Sequence, residues 1–338
     1  MNNKIFFPSE WAVQDFVQMT FPHAETDWAY MFEEVNACFA QIAAEIAKRQ
    51  KLLAVCQDIT ETADLLKNCN LSNVIFFECE INDTWARDHA AITVFVNEKR
   101  VLLDFTFNGW GLKFPANYDN LITNKLVTQN VFEQEVLYKD CRNFIIEGGS
   151  IETDGAGTLL TTEKCLLSEN RNYLDRNELE KKLKQYFGIN RVLWLKNGTL
   201  AGDDTDSHID TLARLCPNNT IVYVKCDDAY DKHFAELNAM ESELRAFRTL
   251  DGKPYNLVAL PLPDAAFDIN GNRLPATYAN YLIINDAVLV PTYNSSKDKI
   301  ACCILQSVFT DREIVPINCL PLIQQHGSLH CVTMQFPK

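Results

Sequence analysis

Acidic and aromatic side chains lie together just before an apolar run at 91–96. This segment contains Asp83, Trp85, Arg87 and Asp88. Carboxylates and an aromatic ring at the mouth of a strand suit a cationic ligand, because both attract positive charge. The alternative interpretation is a surface ion pair between Arg87 and Asp88, with Trp85 used for packing.

A carboxylate and a cluster of glycines end the apolar run at 144–149. Glu147 is followed by Gly148 and Gly149, and four of the 12 glycines of the chain lie between 148 and 157. Such a cluster indicates positive φ angles or a close approach of the backbone to another group. We therefore expect Glu147 to be a site residue. The alternative is a bulge or hairpin with a solvated glutamate.

Histidine and aspartate alternate in the acidic segment at 202–210. His208 and Asp210 are two residues apart, so on a strand they would share a face. Asp204 and Asp206 precede them. A histidine among acids keeps its proton to higher pH, as a general acid or base requires. An acidic helix cap around His208 is the alternative.

Cys331 is the candidate reactive thiol. It lies near His326, Gly327 and His330, whereas many of the other eleven cysteines lie in apolar runs. A buried structural cysteine is the alternative. A zinc site made of Cys319, His326, His330 and Cys331 would lack any usual ligand spacing.

Composition limits the partners of this chain. Its 338 residues are 47% apolar, too apolar for a disordered chain, and 45 acidic residues against 31 basic ones give a net charge of -14. Such a charge repels nucleic acid and anionic membranes and attracts small cations. We find no apolar run of about 18 residues for a membrane span and no signal peptide, so we expect a cytoplasmic protein with reduced thiols.

The chain alternates strand-like and helix-like segments, which predicts an α/β or α+β fold in one domain over residues 1–338. The helix candidates are 27–49, 59–68, 177–187, 232–247 and 297–309. The strand candidates are 52–56, 74–80, 91–96, 100–105, 144–149, 191–195, 220–226, 281–293, 313–319 and 329–334. The polar constellations recur roughly every 60 residues, which is typical of circular repeat folds.

Taken together, these segments resemble the agmatine deiminase family of the guanidine-modifying enzymes. The resemblance covers nearly the whole chain. It includes PSEW at 8–11, FPH at 21–23, DW at 27–28, NDTWARD at 82–88, FNGWG at 107–111, EGGSIETDGAGTLLTTEKCLL at 147–167, NRN at 170–172, GDDTDSHID at 202–210, LPATYAN at 274–280, PTYN at 291–294 and GSLHCVTMQ at 327–335. Two stretches differ from the family pattern: HAA follows Asp88 in place of TGP, and QHGSLH precedes Cys331 in place of GGGNIH.

The family resemblance implies a fold and a set of site residues. The fold would be a five-bladed α/β propeller, or pentein, of ββαβ repeats around a central active site. Cys331 would be the nucleophile and His208 the general acid/base. The remaining implied residues are Asp88 and Asp210, which would hold the guanidinium, Glu147 as a third carboxylate on its nitrogens, Trp85 and Gly327 in the pocket, and Asp204 for the distal ammonium.

The resemblance also implies a reaction. Agmatine would be hydrolysed to N-carbamoylputrescine and ammonia through a covalent amidino-cysteine, within polyamine biosynthesis, by a homodimer or larger oligomer without metal or organic cofactor. Alternatives within the superfamily are deimination of free, peptidyl or N-acylated arginine, and amidino transfer. A catalytically silent guanidine-binding protein and a redox or metal protein built on the cysteines are alternatives of other classes.

Overall fold

The computed structural model describes residues 4–132 and 136–338, whose strands form five small sheets. In chain order the strands are β1 Ile5–Phe6, β2 Gln14–Thr20, β3 Lys51–Cys56, β4 Val74–Glu78, β5 Ile92–Val96, β6 Lys99–Thr106, β7 Leu137–Ile145, β8 Ile151–Thr153, β9 Thr158–Thr162, β10 Arg191–Leu195, β11 Ala213–Cys216, β12 Thr220–Lys225, β13 Asn256–Pro261, β14 Leu282–Ile284, β15 Ala287–Thr292, β16 Glu313–Asn318 and β17 Thr333–Pro337.

Helices connect these strands. They are α1 Phe32–Ala47, α2 Ile59–Leu65, α3 Ala86–His89, α4 Gly109–Leu112, α5 Asp119–Thr128, α6 Glu163–Leu166, α7 Arg176–Phe187, α8 Phe234–Ala246, α9 Asp298–Val308 and α10 Leu320–Ile323. Single 3-10 turns occur at Ala29–Met31, Leu71–Asn73, Gly148–Ser150 and Ile209–Thr211.

Each sheet repeats one plan, a pair of antiparallel strands followed by a helix and a parallel third strand. The pairs are β5–β6, β8–β9, β11–β12, β14–β15 and β17–β2, and the parallel third strands are β7, β10, β13, β16 and β3. The connecting helices are α5, α7, α8, α9 and α1. This is the ββαβ repeat of the five-bladed propeller, so the predicted fold is confirmed.

The last strand of the chain closes the ring. β17 pairs with β2, so the sheet of β17, β2, β3 and β4 contains strands from both ends of the described chain. Phe336 of β17 stacks on Phe16 of β2 with ring centroids 4.4 Å apart, and both side chains are buried. The propeller is therefore held shut by an antiparallel strand pair and its apolar contacts.

Local sequence explains the helices that pack on the sheets. In α7, Asp175 and Glu178 form a capping box, and Gly188 ends the helix in the left-handed conformation at φ 66°. Leu179, Leu183 and Phe187 recur every four residues and are buried. The polar face of the helix stays in solvent, as an amphipathic connection between two strands requires.

The structure confirms most predicted elements and corrects several. The five helix candidates each contain a helix, although the residues at 27–31 precede α1. The strand candidates at 144–149 and 329–334 are wrong in part, because β7 ends at Ile145 and β17 begins at Thr333. The elements that were not predicted are β1, β2, β8, β9, β11, β13, α5 and the short helices α3, α4, α6 and α10. Within the described residues, no helix is long and apolar enough to cross a membrane.

Candidate active site

Chemistry-bearing side chains occur at the same place in each of the five repeats, just before the first strand of the antiparallel pair. Asp88 precedes β5, Glu147 precedes β8, and His208 with Asp210 precedes β11. Asn280 precedes β14 and Cys331 precedes β17. The first strands β17 and β5 contact each other, as do β8 and β11, so the segments before them converge near the ring centre. The repeat itself therefore assembles the site.

A cleft opens onto two of these residues, Asp88 and Cys331. Its lining residues are Asp27, Asp83, Trp85, Asp88, Trp110, Phe114, Asp204, Thr205, Gln325, His326, Gly327 and Cys331. The predicted pocket residues Trp85, Asp204 and Gly327 thus lie together with Asp88 and Cys331. Aromatic rings and carboxylates share this lining, an arrangement that suits an elongated cation with apolar carbons.

Asp88 is buried and oriented by its neighbours. Trp110 Nε1 donates to its Oδ2 at 3.0 Å, and the Gly149 amide donates to its Oδ1 at 3.0 Å. Burial, followed by repulsion from Asp210 and Glu147 and opposed by His208, raises the pKa of Asp88 to about 6. A bound cation would relieve this repulsion.

His208 faces Asp88, with its Nδ1 3.7 Å from Asp88 Oδ1. Burial opposes its charge, but Asp88, Cys165 and Glu147 raise the pKa of His208 well above its usual value. His208 Nε2 is buried and has no hydrogen-bond partner among the described residues. These neighbours therefore favour the protonated ring, which can act as a proton donor.

One carboxylate oxygen of Asp210 accepts hydrogen bonds, and the other has no hydrogen-bond partner among the described residues. Its Oδ2 lies 2.7 Å from His330 Nδ1 and 3.2 Å from Asn280 Nδ2. Its Oδ1 is buried and has no partner among the described residues. Burial opposes its charge, but the hydrogen bond from His330 and nearby cationic groups lower the pKa of Asp210. A charged oxygen is thus available to a ligand.

Cys331 is buried, with 6% of the residue exposed, and its Sγ lies 3.5 Å from Asn280 Oδ1. Burial, with the charges of Asp210 and Asp88, raises the pKa of Cys331 well above its usual value. Asn280 Oδ1 also accepts the His330 amide at 2.9 Å while Nδ2 donates to Asp210. These two partners fix the orientation of the carboxamide and turn an acceptor toward the thiol.

Glu147 lies deeper than the cleft. Arg171 Nε is 3.1 Å from both Glu147 oxygens, and neither side chain is exposed. Arg171 in turn binds Asp206 Oδ2 at 2.7 Å and the Thr205 carbonyl at 3.0 Å. The carboxylate lies close to His208 and Cys165, within 4.8 Å between their ligand atoms. The Glu147 carboxylate is thus bound by Arg171, and like His208 and Asp210 it does not line the cleft.

Two glycines allow this close packing. A Cβ on Gly149 would lie 2.6 Å from His208 Nδ1, and one on Gly327 would lie 2.0 Å from the Trp85 ring. The expectation that the glycine cluster marks a close approach is confirmed at Gly149. Any larger side chain at either position would displace a predicted site residue.

Two local arrangements that the sequence left open do not occur. His208 and Asp210 do not share a strand, because Ile209–Thr211 forms a 3-10 turn before β11. Arg87 is not in a surface pair with Asp88. It is buried, and its guanidinium binds Glu10 Oε1 at 3.1 Å and the Gln335 side chain.

Sequence reasoning assigned no role to Asn280, and the repeat could have indicated it. The interval between His208 and Cys331 is about two repeats long, so one repeat lacked a candidate. LPATYAN ends directly before β14, which is where the other repeats carry their functional side chains. Glu10, Arg171 and Arg214 were also missed, because buried ion pairs between distant segments leave no local pattern.

Two side-chain clusters have a spacing that could hold a metal ion. They are Glu147 with Cys165 and His208, and Glu10 with Glu152 and His330. The carboxylates of both clusters already bind guanidinium groups, Arg171 in the first and Arg214 in the second. These contacts favour an ion-pair role for both clusters.

Comparisons with known proteins agree with this geometry. A putative agmatine deiminase from Vibrio parahaemolyticus is 34% identical over 98% of this chain and 96% of its own. A solved putative arginine deiminase from Porphyromonas gingivalis has a TM-score of 0.95 and 50% identity, with 99% of each chain covered. A cysteine-to-serine variant of C. jejuni agmatine deiminase with substrate bound has a TM-score of 0.93 and 36% identity, covering 100% of this chain and 98% of its own.

The family model described as Porphyromonas-type peptidyl-arginine deiminase matches residues 6–337, which include every repeat of the propeller and all the site residues described above. With a match of this extent, the chain belongs to that family.

Proposed function

We propose that this protein is an agmatine deiminase, which hydrolyses agmatine to N-carbamoylputrescine and ammonia. The observation that carries the proposal is that Asp88 and Cys331 line a cleft with aromatic walls and acidic groups, with His208 beside Asp88 and Asp210 close to Cys331. Agmatine is a dication without a carboxylate, and Asp27, Asp83 and Asp204 line the same cleft. A positive charge at each end of the substrate thus meets carboxylates.

The carboxylates bind the reacting group. A guanidinium is resonance-stabilised and permanently protonated, so its carbon is a poor electrophile. Asp88 and the free oxygen of Asp210 would hold its planar N–H groups and keep it cationic, which favours attack at carbon. Trp85 would pack along the ligand, and Asp204 would face the distal ammonium.

The first half-reaction replaces a nitrogen by sulfur. The thiolate of Cys331 attacks the guanidinium carbon, and protonated His208 gives its proton to the departing nitrogen. The C–N bond breaks, ammonia leaves, and a cationic amidino-thioether remains on Cys331. The Glu147 carboxylate lies close to His208, and its negative charge stabilises the protonated ring.

The second half-reaction releases the product. Neutral His208 takes a proton from water, and the hydroxide adds to the amidino carbon. The C–S bond then breaks, the thiolate re-forms, and the ureido product leaves with loss of one proton. Ammonia and that proton together balance the positive charge that the guanidinium brought in. No step in this scheme requires a metal or cofactor.

Free arginine is the second candidate substrate, because the Porphyromonas gingivalis relative described as a putative arginine deiminase is 50% identical to this chain. The two substrates differ at the distal end, where arginine carries a carboxylate. The carboxylates among the cleft residues would repel that group.

The test is ammonia release by the purified protein from agmatine, free arginine and a blocked arginyl peptide. We expect release from agmatine, none with Cys331→Ser, and full activity with Cys303→Ser, whose thiol is exposed. A preference for another guanidine would keep the mechanism and change the substrate. Activity that survives in Cys331→Ser would contradict the mechanism.

We further propose that the enzyme acts as a homodimer in the cytoplasm and supplies a carbamoylated diamine to polyamine synthesis. The resemblance of the chain to the agmatine deiminase family supports these proposals. Light scattering on the eluting protein would measure the oligomeric state, and a monomer at micromolar concentration would contradict the dimer.

A further inference from the structure

We propose that His330, the residue before the nucleophile, is a positioning residue that holds Asp210 and selects which of its oxygens meets the substrate. The inference rests on the proposed function, in which Asp210 binds the guanidinium. His330 is 1% exposed, and its Nδ1 lies 2.7 Å from Asp210 Oδ2. Its backbone amide donates to Asn280 Oδ1 at 2.9 Å, so the ring and the main chain are both fixed.

The neighbours of the ring determine where its hydrogen lies. Nδ1 faces only the Asp210 carboxylate, which accepts hydrogen bonds and cannot donate them when ionised. Nε2 lies 3.0 Å from Arg214 Nη2, a donor, and 2.9 Å from Glu10 Oε1, an acceptor. A partner for Nε2 is therefore present whether the ring is neutral or charged. In both states Nδ1 carries the hydrogen that binds Asp210.

This hydrogen bond gives the two oxygens of the Asp210 carboxylate different roles. Oδ2 is occupied by His330 Nδ1 and by Asn280 Nδ2 at 3.2 Å. Oδ1 is buried without a partner among the described residues. A buried anionic oxygen without a donor is costly unless a ligand supplies one. Fixing Oδ2 therefore aims Oδ1 at the guanidinium N–H groups and keeps the carboxylate ionised.

An ion-pair cluster holds the ring from the side opposite Asp210. Arg214 binds Glu10 and Glu152, and it donates to the backbone carbonyls of Ala279 at 3.0 Å and Tyr281 at 2.7 Å, on either side of Asn280. Glu10 also binds Arg87 Nη1 at 3.1 Å. The cluster thus fixes His330 Nε2 and the segment that carries Asn280. The charged and titratable groups that face Asp210 and His330 are His208, Asp88, Cys331, Arg214, Arg87, Glu10 and Glu152.

Two matched substitutions separate positioning from packing. His330→Asn keeps an amide N–H near the place of Nδ1, whereas His330→Gln carries its amide one carbon farther, near Nε2. We expect His330→Asn to retain kcat/KM within about fivefold of the unsubstituted enzyme. His330→Gln is expected to lose roughly tenfold to a hundredfold in kcat/KM for agmatine, the effect of losing a hydrogen bond to a charged group.

The pH profile distinguishes this role from a merely structural one. Without the hydrogen bond the pKa of Asp210 rises. The acid limb of kcat/KM begins with Asp88, whose pKa is about 6, and it becomes steeper where Asp210 is protonated as well. This second break moves to higher pH in His330→Gln and stays in place in His330→Asn. Equal loss in both variants, or an unmoved second break in His330→Gln, would overturn the proposal.

A measurement without turnover tests the inference independently of the reaction. The chain has 6 histidines, so nitrogen-15 histidine labelling of the full protein gives few signals, and His330 is assigned by its loss in His330→Asn. We expect Nδ1 to be protonated. An unprotonated Nδ1 overturns the proposal, even if the protein turns over agmatine. If agmatine is not a substrate, the proposed function fails while the state of Nδ1 still decides this inference.

Discussion

At the scale of single residues, the site brings together acidic groups that repel one another when no ligand is bound. Asp88 and Asp210 raise the pKa of Cys331, and Asp210 raises that of Asp88. A guanidinium cation between them would stabilise both carboxylates and the thiolate. Binding and activation of the nucleophile are therefore linked through the same charges.

The first prediction concerns the thiol. Guanidinium ion bound in the cleft is expected to lower the pKa of Cys331, because it compensates the carboxylates that disfavour the thiolate. Thiolate ultraviolet absorbance, titrated with and without guanidinium, measures the shift, and the same titration of Cys331→Ser subtracts the other cysteines. A Cys331 pKa that does not respond to the cation would contradict substrate-assisted activation.

The second prediction concerns pH and binding. The pKa of Asp88 is about 6 in the free protein, and a bound cation stabilises the ionised form and lowers it. Affinity should therefore be full above pH 6 and fall by up to about tenfold per unit as the pH drops below it. Calorimetric titration of Cys331→Ser with agmatine measures the affinity. Asp88→Asn should bind weakly and keep only the smaller pH dependence that Asp83 gives, because burial raises the pKa of Asp83 to about 6 as well. An undiminished pH dependence in Asp88→Asn would contradict the role of Asp88.

At the scale of elements, the sequence indicated which segments carry chemistry better than it indicated their conformation. The acidic, glycine and cysteine segments around Asp88, Glu147, His208 and Cys331 are visible because their residue types are unusual beside apolar runs. Their conformation is set by tertiary contacts, so the segment with His208 and Asp210 forms a turn although its alternation suits a strand. β2 was missed because it carries buried Gln14 and Gln18, which interrupt the apolar pattern.

The family resemblance supplied the propeller and the residue roles, whereas the residues alone gave α/β segments, a rough repeat and candidate site residues. The ion pairs of Glu10, Arg171 and Arg214 lay beyond both. Glu10 and His330 are 320 residues apart in sequence, and no short-range pattern links them. Buried charge pairs of this kind depend on the assembled ring.

The third prediction is at the scale of one turn. Gly149→Ala should lower kcat/KM on the order of a hundredfold, because its Cβ would lie 2.6 Å from His208 Nδ1 and 3.0 Å from Asp88 Oδ1. Gly252→Ala is the control, since no heavy atom lies within 4 Å of its Cβ. Its positive φ of 82° should reduce stability slightly and leave turnover unchanged. Equal activity of the two variants would show that the turn does not need its glycine.

At the scale of the whole molecule, the site depends on closure of the ring. β17 pairs with β2 and so joins the segment carrying Cys331 to the sheet that contains β2, β3 and β4. β17 also contacts β5, which belongs to the sheet of β5, β6 and β7. A weakened closure should therefore lower global stability and displace the nucleophile together.

The fourth prediction tests closure. Phe336→Ala should lower the free energy of unfolding by roughly 3–5 kcal/mol, because Phe336 is buried and stacks on Phe16. Phe267→Ala, whose side chain is 56% exposed, should change it by less than about 0.5 kcal/mol. Urea denaturation followed by fluorescence measures both. A loss below about 1 kcal/mol in Phe336→Ala would mean that the β17–β2 pair contributes little to holding the ring.

Closure of the ring also determines when the active site can form during synthesis. During synthesis on the ribosome the first four repeats can begin to fold as they emerge, but β2 must wait for β17, and His330 for Asp210, until nearly the whole described chain has been made. Until then β2 has one unpaired edge, which a neighbouring nascent chain could occupy. Cys331 lies directly before the strand that pairs with this edge. A chain that terminates before β17 would therefore leave the edge of β2 unpaired and have no activity.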